Sequence, residues 1–84
     1  MPQHKSAMKR MRTSRRARTR NMAARTRLRT AVKHVRIADT KAAAEEALAK
    51  AVVVIDKTAQ KGVIHKRQAA RRKSRLTRLV NAME

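Results

Sequence analysis

From residue 17 onward, apolar residues recur along the chain at helical spacing. Ala17, Ala24, Leu28, Ala31, Val35 and Ala38 fall within one narrow sector when each residue advances by roughly 100°. This stripe predicts a first helix from about Ser6, a candidate N-cap, to about Ile37. Asp39 and Thr40 then offer capping side chains in a short turn. Ala44, Leu48, Ala51, Val52, Ile55 and Ala59 mark the inner face of a second helix over Lys41 to Gln60, and Val53 with Val54 widen it, as a helix touching two neighbours requires. Lys61-Gly62 reads as a helix stop, Gly62 supplying a left-handed residue past the C-cap, with Val63 and Ile64 packed in the connection. The third helix is expected from about His65 to Ala82, where Ala69, Leu76, Val80 and Met83 share a sector with Leu79 beside it. Short connections between three amphipathic helices predict an all-α fold, an antiparallel three-helix bundle forming a single domain over residues 1–84. In it Leu28, Val32 and Val35 meet Leu48, Val52 and Ile55, and both groups meet Leu76 and Val80.

The polar positions are dominated by one sign of charge. Residues 1–38 carry 13 Lys plus Arg and no acid, residues 39–60 carry 3 against 4, and residues 61–84 carry 8 against 1, so the basic character sits at the two ends. Arg67, Arg71, Arg75 and Arg78 line the side of the third helix opposite its apolar stripe, while Arg18, Arg25, Arg29, Lys33 and Arg36 flank or oppose that of the first. Before Ala17, Lys9, Arg10, Arg12, Arg15 and Arg16 surround the helix axis, leaving little apolar surface for a partner helix. The long, basic first helix should therefore extend beyond the bundle. Residues 1–16 are expected to be disordered in the free protein and to become helical on a polyanion. Met8, Met11 and Met22 share a sector away from the apolar stripe, which points to contact with RNA sugars or a neighbouring subunit rather than to a core.

A chain of 84 residues is one domain with a thin core. Without cysteine it has no disulfide, thiol nucleophile or thiolate metal site. His4, His34 and His65 are scattered without carboxylate partners, Ser6, Ser14 and Ser74 have no base to activate them, and no glycine-rich phosphate loop occurs. Asp39, Glu45, Glu46 and Asp56 read as solubilising charge, with Glu46 and Lys50 one turn apart in the favourable order. Neither an enzyme nor a cofactor or metal site is expected, nor a small-molecule substrate.

The net charge of +19 demands an anionic partner, since compaction brings like charges together. Helix-mounted arginine makes paired hydrogen bonds to phosphate and stacks on exposed bases, and a merely solvated face would interleave Glu with Lys. Nucleic acid is the expected partner. With no Phe, Tyr or Trp, stacking on aromatic side chains is excluded, so binding must rest on phosphates, sugars and shape, as in folded RNA with closely apposed helices. A DNA-compacting protein would use the same charge. A membrane-active peptide would need large apolar anchors where the first helix offers alanine, and the longest bulky apolar run, Val52 to Ile55, is far shorter than the roughly 20 residues of a membrane span. An arginine-rich, acid-free start is also compatible with a transit peptide, but the basic character returns at the far end, which a cleaved leader does not explain.

Two blocks carry a resemblance over nearly the whole chain. The first is Lys5-Ser6-Ala7-Met8-Lys9-Arg10, followed by Arg20-Asn21 and Arg25-Thr26-Arg27-Leu28-Arg29-Thr30. The second is Lys61-Gly62-Val63-Ile64-His65-Lys66-Arg67-Gln68-Ala69-Ala70-Arg71-Arg72-Lys73-Ser74-Arg75-Leu76. Together they resemble the bacterial small-subunit ribosomal protein S-twenty family, with Arg67-Gln68 departing from a pattern in which Asn and a small or basic residue are common. The resemblance implies a three-helix bundle with a long first helix, a structural component of the cytoplasmic ribosome. It implies direct binding to small-subunit ribosomal RNA near the bottom of the particle, early in assembly, stabilising its folding. Neighbouring ribosomal proteins fit this picture, whereas membrane attachment and homo-oligomers do not. The charge rows and the two blocks together assign RNA contact to Lys5, Ser6, Lys9, Arg10, Arg12, Arg15 and Arg16 in the extension, and to Arg18, Arg20, Asn21, Arg25, Arg27, Arg29 and Lys33 along the rest of the first helix. On the third they assign it to His65, Lys66, Arg67, Arg71, Arg72, Lys73, Ser74, Arg75 and Arg78.

Overall fold

A computed structural model describes the backbone of residues 2–84 and the side chains from Lys5 onward. Among the described residues the chain forms three α-helices and no strand: α1 Pro2–Arg36, α2 Lys41–Gln60 and α3 Lys66–Asn81. The expectations for Met1 and for the side chain of His4 lie outside the described residues. α1 starts earlier than its sequence pattern suggests, and Ser6 lies inside the helix rather than capping it. Proline is at home in a first helical turn, where its missing N–H would have no partner, so nothing local stops the helix at Ser6.

The boundaries of α2 match expectation and are set by caps. Thr40 takes extended backbone angles and its Oγ1 accepts a hydrogen bond from the Ala43 N–H at 3.2 Å. At the other end Gly62 adopts φ +79°, the Gly62 N–H donates to Ala59 O at 3.0 Å, and the Val63 N–H donates to Thr58 O at 3.2 Å. This pair of bonds is a Schellman motif, which closes the helix and turns the chain back. α3 is one residue shorter at each end than expected because His65 and Ala82 are its caps.

The core is a seam of one to two residues per turn. Val35 from α1, Ile55 from α2 and Val80 from α3 are the largest fully buried side chains, and Leu28, Ala44, Ala51, Ile64, Ala69 and Leu76 join them. Alanine at Ala44, Ala51 and Ala69 lets helix axes approach closely. Leu48, Val52 and Val54 are half-buried, and Val53 is 51% exposed, so the inner face of α2 is narrower than its apolar sector suggests. At ~100° per residue Val53 lies roughly 160° to 180° from the stripe that Ala44, Ala51 and Ile55 define, on the side of α2 that neither neighbour covers. α1 and α3 both pack on α2 and meet each other only sparsely. Leu79 is likewise 43% exposed. Thr58 is the one buried polar side chain among the described residues, and its hydroxyl donates to Val54 O at 2.7 Å.

α1 projects well past this seam. Its deepest contact toward the amino terminus is Ala24, and every side chain from Lys5 to Arg16 is exposed. The radius of gyration is 17.5 Å, against about 12 Å for a compact chain of this length. The accessible surface is 7093 Å², against about 5,100 Å² for a compact protein of this mass. The excess is the bare rod.

Candidate nucleic-acid interface

The apolar stripe of α1 is bordered on both sides by arginine. At roughly 100° per residue, Arg18, Arg25, Arg29 and Arg36 fall along one flank, and Arg16, Arg20 and Arg27 along the other. Packing the stripe onto α2 therefore places one arginine row toward α3 and the other toward the α2–α3 connection. The second row forms a shallow cleft in which Arg20, Asn21 and Arg27 meet Lys61 and Val63 around Ala24. The first row ends at Arg36, which joins Arg71, Arg72 and Arg75 of α3 around a groove with Val32 and Leu76 at its base.

All of the assigned contact residues are exposed except Lys73. Lys73 is half-buried and its Nζ lies 2.8 Å from Asp56 Oδ1, an ion pair that ties α3 to α2. Sequence periodicity could not show this, because the two residues lie on different helices. His65 is exposed but also holds the start of α3, its Nδ1 accepting from the Arg67 N–H at 3.1 Å, so only its Nε2 remains for an outside partner. The one other ion pair among the described residues joins Lys50 to Glu46 at 3.7 Å on the solvent side of α2. Lys73 aside, no assigned residue is paired with an acid.

Arg36, Lys61 and Gln68 line these clefts and are absent from the sequence-assigned set. Arg36 continues the row Arg18, Arg25 and Arg29, which is a usable signal, whereas Lys61 and Gln68 stand only within the second block of the resemblance and belong to no charge row. The hydroxyls of Thr13, Thr19, Thr26, Thr30 and Thr77 each donate to the carbonyl four residues earlier, at 2.8–2.9 Å, so these residues present methyl groups and spent donors beside the arginines. Met8, Met11 and Met22 are 51%, 57% and 62% exposed, in keeping with their phase. His34 lines a shallow cleft against Glu46 and Lys50 of α2. Among the described residues no three of His, Asp and Glu come together as a metal site, and no helix is long and apolar enough to cross a membrane.

A thin helical seam carrying a long polycationic rod and guanidinium-lined clefts defines a small, strongly basic, all-α protein. The chain belongs to the Ribosomal protein S20 family, whose family model matches residues 2–81. It is similar to the small ribosomal subunit protein bS20 of Desulfovibrio desulfuricans, with 52% identity over 100% of this chain and 98% of the relative. The bS20 protein of Geobacter metallireducens is 49% identical, with 99% of each chain covered. That of Thioalkalivibrio sulfidiphilus is 53% identical over 93% of this chain and 94% of the relative. This is a family of structural ribosomal proteins, not of enzymes.

Proposed function

We propose that this protein is a structural component of the bacterial small ribosomal subunit, in the cytoplasm, which binds small-subunit ribosomal RNA directly and stabilises its folding during assembly. Full-length similarity to proteins named for that subunit supports the first part. The observation that carries the second is the acid-free arginine surface. Rows from α1 and α3 converge at Arg36, Arg71, Arg72 and Arg75 with no carboxylate in the groove they line. Such a surface is favourable only against closely spaced anions, and releases their counterions when it docks. Rigid helices hold the guanidiniums in register with phosphates, and the bare rod can lie between RNA helices whose backbones would otherwise repel. The whole chain acts as one RNA-binding domain, with residues 1–16 ordered by the RNA.

Co-sedimentation of the tagged protein with small subunits, together with binding to small-subunit ribosomal RNA and to duplex DNA of equal length at physiological salt, tests this reading. Preference for the RNA by tenfold or more is expected. Equal affinity for both would favour a general DNA-compacting protein instead.

A further inference from the structure

We infer that the groove between α1 and α3 receives a single unpaired nucleotide, extruded from the RNA, so that this protein reads one base as well as the backbone. The inference rests on the RNA-binding reading above and adds a ligand class to one site. The groove exists because α1 and α3 pack on α2 and scarcely on each other, leaving a cavity of about 240 Å³ between them. Its walls are Arg36, Arg71, Arg72 and Arg75, its base is Val32 and Leu76, and Gln68 stands at its side.

Each part of that lining matches a part of a nucleotide. Guanidinium groups from both helices can hold its phosphate bidentately and stack on its base, a role that aromatic side chains fill in other RNA-binding proteins and that only the arginines can fill in this groove. The half-buried Val32 and buried Leu76 present an apolar floor that a phosphate alone would not use. The Gln68 side-chain amide offers a donor and an acceptor together, the pairing that recognises a base edge. Size narrows the choice, because the cavity lies below the roughly 300 Å³ at which pockets for drug-sized ligands begin. One base fits within it.

The test uses the full chain and the double variant Val32→Leu with Gln68→Leu, which narrows the groove and removes the amide without altering any charge. With small-subunit ribosomal RNA, affinity should fall between ~5- and ~150-fold, the range for loss of one stacked base, while the slope of log affinity against log salt changes by no more than the ~0.7 to ~0.9 of a single phosphate contact. Unchanged affinity would overturn the inference while leaving the RNA-binding reading intact. An unmodified chain that ignores the RNA would overturn both. Should the double variant fail to fold, the unmodified chain decides by methyl NMR. Adenosine or uridine monophosphate should shift the Val32 and Leu76 methyl signals where equimolar inorganic phosphate does not. No shift, or equal shifts from both, would overturn the inference.

Discussion

Neutralising the arginine row of α3, two of whose members also wall the groove against α1, is the sharpest test of the electrostatic account. Arg67, Arg71, Arg75 and Arg78 are all exposed and none is paired with an acid, so changing the four to Gln removes charge without removing packing. At ~1.5 Å per residue the row is about 16 Å long, which spans several phosphates of one strand. Each arginine can therefore meet its own phosphate. Four lost contacts at ~0.7 to ~0.9 each should flatten the slope of log affinity against log salt by about 3. The unmodified chain, making 6 to 10 such contacts, should lose about 10³- to 10⁵-fold in affinity between 50 and 200 mM salt, and the variant's loss over that range should be about 60-fold smaller. Filter binding to small-subunit ribosomal RNA at several salt concentrations measures this, with circular dichroism confirming that the helices persist. A slope within roughly 0.5 of the unmodified protein's would refute the idea that this row neutralises phosphates.

Other expectations concern the scaffold. Ile55→Ala, at a site with no exposed surface, should cost about 2 to 5 kcal/mol in urea unfolding, whereas Val53→Ala on the adjacent exposed position should change stability by less than about 0.5 kcal/mol. Gly62→Ala should destabilise by about 1 to 2 kcal/mol through backbone strain alone, because no atom lies within 4 Å of the added Cβ; a larger loss in thermal melting would point to a clash instead. Thr40→Ala should cost about 0.5 to 2 kcal/mol by removing the N-cap of α2, and an unchanged midpoint would show that the cap is idle. In the free protein the amides of Arg10 to Arg16 should exchange far faster than those of Leu28 to Val35 and slow markedly on adding RNA; strong protection without RNA would count against coupled ordering.

Helix placement was legible because the decisive signals are local. Thr40, Lys61-Gly62 and the near absence of other glycine or proline set the ends of α2 without reference to any neighbour. The start of α1 was misread at Ser6 because a good capping residue does not stop a helix whose preceding residues can also be helical. Burial was legible in phase but not in degree. Val53 stands roughly 160° to 180° round α2 from the stripe of Ala44, Ala51 and Ile55 at ~100° per residue, so its exposure follows from its phase, and counting it toward the inner face overstated that face. Leu48, Val52 and Val54 are half-buried, which only the packing of α1 and α3 on α2 decides. Lys73 shows the same limit for charge: its neighbours within α3 are basic, and the carboxylate that holds it comes from α2.

The arginine rows were readable one helix at a time, but their convergence was not. Arg36 and Arg75 are 39 positions apart, and only the packing of α1 and α3 on a common α2 puts them around one cavity. That arrangement also explains why so thin a core accompanies so much charge. A third tight interface, between α1 and α3, would bury more apolar surface but would press Arg36 against Arg71, Arg72 and Arg75 with no acid between them. At ~6 Å separation such charges repel by about 0.7 kcal/mol per pair even at the dielectric constant of water, and by several times more once partly desolvated. The open seam is the arrangement in which the isolated chain avoids that repulsion and an anion can later fill the gap. If RNA docks there as proposed, phosphate completes the bundle on its open side, and stability should rise when that side is occupied.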